Sequence, residues 1–227
     1  MVVTVSKNVA TAAEDGLLLS NQAQPDPHRA TRIEMARHQW KSTAWDVRFA
    51  GENGPGTGAP FPVSVDLKLL YKTSRQVLVL QDLDGKAFGV ALKMFMGLAY
   101  KIYRFEPVYH GQQPSKKQTH EGKCLYEYGK VSSSAGTTTI VTHFSTEFKM
   151  TTTVSGSPEY RATLKGKKGP LQGVHGLSLE ISKDGRACGS ARNANNMNSL
   201  WVINILPGID PAAIIAFIAS VDNLLNA

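Results

Sequence analysis

From Pro211 to Val221 every residue except Ser220 is apolar, a run of eleven positions near the end of the chain. Asp210 just before it is a good helix N-cap, and Pro211 is pre-organised for the first helical position. A helix lying on a sheet would show a polar stripe within three turns, and this one shows none. It is also shorter than the ~20 apolar residues needed to cross a bilayer. Such a helix must be enclosed on all sides, so the rest of the chain has to supply a wall around it.

The preceding residues supply strands. From Phe61 onward, Val63, Val65, Leu67 and Leu69 alternate with Ser64, Asp66 and Lys68, a period of two. Val77 to Leu80 leads through Asp82-Leu83-Asp84-Gly85-Lys86 into Phe88, Val90 and Leu92. Asp-Gly between two such runs predicts a hairpin on a type I′ turn. Further β-prone runs follow at 100–105, 124–131, 137–144, 148–154, 160–164, 177–181, 187–190 and 201–206, separated by Gly, Pro and Ser turns. Regular short strands indicate an all-β sandwich or barrel. With the helix added, the expected fold is mainly β: a closed antiparallel barrel around a buried C-terminal helix. The other arrangement packs that helix between a sheet and the N-terminal tail. Asp84-Gly85-Lys86-Ala87-Phe88-Gly89 is echoed by Asp184-Gly185-Arg186-Ala187-Cys188-Gly189, a faint sign of a duplicated meander.

The first sixty residues read differently. Residues 1–27 are small and polar, like a loose tail. Residues 28–49 mix Trp40, Trp45 and Phe49 with five Arg or Lys, and a short helix is expected from Thr31 to Gln39. Gly51 to Pro60 holds four Gly and two Pro, which reads as a linker or a long surface loop. The expected division is therefore an N-terminal arm over 1–60 and a barrel domain over 61–227.

The C-terminal helix, the opening Phe61-Pro62-Val63-Ser64-Val65-Asp66-Leu67 and the Asp82 to Val90 hairpin together resemble the LURP-one-related family. That resemblance covers residues 61–227. It implies the tubby C-terminal-like fold, a barrel of about twelve strands around a hydrophobic helix, and brings no catalytic residues with it.

Charge narrows function less than shape does. The chain carries 25 Lys plus Arg against 18 Asp plus Glu, a formal +7, which suits nucleic acid, an anionic membrane or plain solubility. Between Lys149 and Arg192 eight basic residues face three acidic ones. Lys165, Lys167 and Lys168 are the densest point. With Lys116, Lys117 and Arg186 they are the candidates for anionic-lipid binding, since each Lys or Arg near an anionic surface contributes about 1 kcal/mol. Residues 161–176 hold no aromatic, which disfavours nucleic acid.

Chemistry leaves little trace. Two cysteines make no disulfide framework, and six scattered histidines, His143 and His175 among them, show no zinc spacing. Nucleophile-elbow and phosphate-loop motifs are absent from the sequence. No cofactor or metal is expected. No secretory signal is visible, and the expected setting is intracellular, cytoplasmic, with peripheral attachment at the plasma membrane. The expected function is that of a non-enzymatic binding or adaptor module engaging phosphoinositide through basic loops. The alternative is an interaction scaffold recruiting a protein partner through the N-terminal arm.

Overall fold

The computed structural model describes residues 28–37, 44–52, 56–70, 75–94, 99–115, 119–134, 147–154, 156–165, 177–194 and 199–225. Its strands are β1 (Thr31–Arg37), β2 (Ala44–Phe49), β3 (Ser64–Leu70), β4 (Arg75–Gln81), β5 (Ala87–Lys93), β6 (Ala99–Arg104) and β7 (Thr119–His120). They continue as β8 (Lys123–Cys124), β9 (Tyr126–Ser134), β10 (Glu147–Thr152), β11 (Glu159–Lys165), β12 (Ser178–Lys183), β13 (Arg186–Asn193) and β14 (Ser199–Ile205), followed by helix α1 (Pro211–Leu225).

Twelve of the strands form one closed barrel in the order β1-β14-β13-β12-β11-β10-β9-β6-β5-β4-β3-β2. Every neighbouring pair is antiparallel, as in β1 with β14, where Ile33 faces Ile203. Closure removes the sheet edges that would otherwise present unpaired N–H and C=O groups. β7 and β8 form a separate two-stranded ribbon between β6 and β9.

The helix explains the wall. Pro211 to Asn223 are all buried, and Ile33, Trp45, Leu78, Ile102, Met150, Leu179 and Ile203 from the strands share one core with Ile215, Phe217 and Ile218. Asp210 caps the helix by accepting hydrogen bonds from Ala212 N at 2.9 Å and Ala213 N at 3.4 Å. Ser220, the lone polar residue of the run, donates to Ala216 O at 2.8 Å inside the helix.

The expectation for residues 31–49 needs correcting. Thr31–Arg37 is strand β1 rather than a helix, and it pairs with both β14 and β2. Ile33 and Met35 face the core, two residues apart, which is strand spacing and not helix spacing. The barrel thus includes strands that precede residue 61. Of the two readings for Gly51 to Pro60, the described residues 51–52 and 56–60 fit the surface loop. Phe49 N donates to Ala59 O, Gly56 N donates to the Glu34 carboxylate at 2.6 Å, and Phe61 N donates to Val47 O, so this loop lies back on β1 and β2.

The two Asp-Gly hairpins differ in their turns. At Asp184-Gly185 both residues have positive φ (50° and 77°), and Lys183 pairs directly with Arg186, a two-residue type I′ loop. The type I′ turn expected at Asp84-Gly85 does not form: only Gly85 has positive φ, because the Asp82 carboxylate accepts Asp84 N and Lys86 N and holds a longer loop. Beyond the turns the copies converge. A Cβ on Gly89 would lie 2.7 Å from Tyr103 O, and one on Gly189 would lie 2.6 Å from Asn204 O. Around the ring, β4 and β12 are six strands apart, as are β5 and β13, so the hairpins are diametrically opposed.

Where α1 ends, a polar cluster closes the barrel. Trp201 Nε1 and Trp45 Nε1 donate to the two carboxylate oxygens of Asp222, at 2.8 and 3.2 Å. Arg37 lies 4.0 Å from that carboxylate, donates to Asn223 Oδ1 at 3.3 Å and stacks over the Trp45 ring. Asn223 Nδ2 donates to the buried Tyr100 hydroxyl.

Candidate functional site

Several exposed charges on the barrel wall pair across strands. Arg161 Nε donates to Glu159 at 2.5 Å and its Nη1 to Glu147 at 3.2 Å, while Lys149 pairs with the same Glu159. These two cationic partners hold the Glu159 carboxyl below the usual carboxylate range. Lys165 Nζ donates to Glu180 Oε1 at 2.5 Å. Lys183 sits over the Tyr160 ring, 5.6 Å from its centroid. Three of the basic residues between 149 and 192 are therefore held in ion pairs.

The sequence candidates do not share one place. In an antiparallel meander successive turns alternate between the two ends. Lys165 closes β11 at the end where α1 finishes, and Arg186 opens β13 at the end where α1 starts, with the whole of β12 between them. Arg186 lies beside a recess of about 490 Å³ with Lys183, Asp184, Cys188 and Ile209. The Cys188 thiol there is buried, and burial pushes its pKa up to about 11, which makes it a poor nucleophile near neutral pH. Lys116, Lys117, Lys167 and Lys168 lie outside the described residues, as do His143 and His175. Among the described residues no group of three or more His, Cys, Asp or Glu is arranged to hold a metal.

A different pair of cations does converge. A groove of about 630 Å³ runs over β12, β13, β14 and β1 on the outer wall, with Arg32 and Arg192 in its lining. Both arginines are exposed. Neither makes an ion pair or a side-chain hydrogen bond among the described residues. Register places them on one face, two strands apart: Arg32 faces Asn204, Asn204 faces Ser190, and Arg192, two residues beyond Ser190, faces Val202 and Ser178. Ser178, Ser190 and Asn204 add hydroxyl and amide donors, and Glu180 lies in the lining while tied to Lys165.

Two guanidinium forks and neutral donors on one open wall are suited to hold an anion bearing several oxygens. The sequence contained a clue to Arg32, since Arg32 and Glu34 alternate with Ile33 and Met35. Its meeting with Arg192 depends on ring closure between β1 and β14, which no local pattern announces.

No family model matches the chain, and no curated protein matches it. Among solved structures, the crystallised Arabidopsis thaliana protein AT5G01750 is similar at 12% identity and a TM-score of 0.46, over 89% of this chain and 94% of that one. That likeness concerns fold alone.

Proposed function

We infer that this chain is a non-enzymatic binding module that holds the headgroup of an anionic membrane lipid, a phosphoinositide, between Arg32 and Arg192. The observation that carries this reading is the convergence of two exposed arginines, with no ion-pair partner among the described residues, on one groove. Lys165, beside the groove, is already paired with Glu180, whereas these two arginines have no ion-pair partner among the described residues. The groove's volume lies within the ~300–1,000 Å³ of ordinary small-ligand sites. Its lining holds no aromatic side chain on which a nucleic-acid base would stack. The resemblance over residues 61–227 is to a fold whose tubby-like members bind phosphoinositides through Lys and Arg on barrel strands, and none of their local motifs matches this chain residue by residue. The wall needs no spanning segment to reach a headgroup, and among the described residues no helix is long and apolar enough to cross a membrane.

The test is co-sedimentation of the full chain with phosphatidylcholine vesicles, with and without phosphoinositide. Two arginines at about 1 kcal/mol each predict a loss of roughly ten- to thirtyfold in affinity for Arg32→Ala combined with Arg192→Ala. Arg186→Ala, outside the groove lining, leaves binding unchanged. Equal binding to both vesicle types, or full binding by the double variant, refutes the assignment.

A further inference from the structure

The two Asp-Gly hairpins share a bulge as well as a sequence. Beyond Leu80, which faces Gly89, the register slips so that Gln81 faces Ala87 and Phe88 is left as the extra residue. Beyond Ile181, which faces Gly189, the same slip puts Ser182 opposite Ala187 and leaves Cys188 extra. Each bulged residue then offers its carbonyl to the first residue past the neighbouring strand. Phe88 O accepts from Phe105 N at 3.1 Å, and Cys188 O accepts from Leu206 N at 2.9 Å. Phe88 and Cys188 therefore hold one structural position on opposite sides of the ring.

That position is filled differently in the two places. Phe88 puts a phenyl ring into the main core. Cys188 is also buried, but a thiol is far smaller than a ring, and the recess of about 490 Å³ opens beside it, with Ala187 and Ile209 adding apolar surface. The buried thiol stays protonated near neutral pH, its pKa pushed up to about 11, and so presents apolar surface rather than charge.

The rest of the lining is cationic in effect. Lys183 and Arg186 face each other across the hairpin, where directly opposed Cβ atoms lie about 5 Å apart, and both line the recess. Neither has an ion-pair partner among the described residues. Lys183 lies over the Tyr160 ring. The two nearby carboxylates are turned to backbone: Asp184 Oδ1 accepts from Glu159 N at 2.8 Å, and Asp210 Oδ1 accepts from Ala212 N at the start of α1. Two cations beside an apolar surface select a molecule that is anionic at one end and apolar at the other.

We propose that this recess binds a small aromatic carboxylate, its ring against Ala187, Cys188 and Ile209 and its carboxylate between Lys183 and Arg186. The ring supplies beside Cys188 what Phe88 supplies from within the chain in the other hairpin. The site shares no lining residue with the Arg32/Arg192 groove and does not depend on the lipid reading.

The test is a titration of the full chain with phenylacetate, followed by the methyl NMR signals of Ile209 and Ala187. Both signals are expected to shift and saturate. Acetate, which lacks the ring, and benzyl alcohol, which lacks the charge, are expected to bind about tenfold more weakly or worse. Cys188→Phe, which carries the ring of the equivalent position, is expected to abolish the shifts. A buried substitution can disturb the fold, so Arg186→Gln at an exposed position gives an independent reading, with affinity lowered about three- to tenfold. Arg32→Ala combined with Arg192→Ala leaves the titration unchanged. Absence of saturable shifts, equal binding of acetate or benzyl alcohol, or full affinity in Arg186→Gln or in a folded Cys188→Phe overturns the assignment. Loss of phenylacetate binding in the groove variant also overturns it, because the ligand then sits in the groove.

Discussion

Asp222 shows how a single side chain can fix the end of an enclosed helix. It is wholly buried, and the two oxygens of its carboxylate take one indole N–H each, from Trp45 on β2 and Trp201 on β14. With Arg37 on β1 beside it, the carboxylate joins three strands to the last turn of α1. Removing one partner of a buried charged cluster leaves the others desolvated without compensation, which costs about 3–5 kcal/mol. Asp222→Ala is therefore expected to lower the urea midpoint strongly with little change in slope, and to shift the tryptophan emission of the folded protein. Asp222→Asn, which still offers one carbonyl oxygen, is expected to lose less. Equal stability of Asp222→Ala and the parent contradicts the assignment.

At the scale of elements the two hairpins carry the argument. Gly89 and Gly189 stand where β5 and β13 press against β6 and β14, and a methyl group at either place would meet a backbone carbonyl at 2.6–2.7 Å. Backbone cannot swing aside as a side chain can, so the strands must part. Gly89→Ala and Gly189→Ala are each expected to destabilise by roughly 1–3 kcal/mol, read from chemical denaturation. A neutral result at one position and a large one at the other would deny the equivalence of the two hairpins. The enclosed helix and most strands were legible in the sequence because their apolar periods are local. β1 was not: in Thr31–Arg37 only Ile33 and Met35 carry the core face, and the partner that makes the segment a strand lies about 170 residues away. The loop from Gly51 to Pro60 left two readings open for a similar reason. Its composition is that of a linker, while the contacts that lay it on the barrel come from Glu34, Val47 and Phe49.

For the molecule as a whole, charge matters through pairing more than through sum. The excess at 149–192 was visible in the sequence, but register decides that Lys149, Arg161 and Lys165 are matched while Arg192 shares a groove with Arg32. The same pairing sets the response to pH. Lys149 and Arg161 lower the Glu159 pKa, so the folded state binds fewer protons there than the unfolded chain. That contribution is present above the ordinary carboxylate pKa and is lost as pH falls through the lowered one; being exposed, it also weakens with added salt. Groups raised by burial act in the opposite sense. Cys188 moves from 9 to about 11, and Tyr100 and Tyr103 move from 10 to about 12, because the barrel desolvates their anions. Above pH 9 the unfolded chain releases protons that the folded barrel retains, so stability must fall with rising pH from about 9 to about 12. Urea midpoints measured from pH 4 to 11 are expected to form a plateau near neutrality with an alkaline decline. Cys188→Ala is expected to flatten the part of that decline between pH 9 and 11, relative to its own midpoint at pH 7. A parent profile that stays level from pH 8 to 11 contradicts the burial of these three groups in one closed wall.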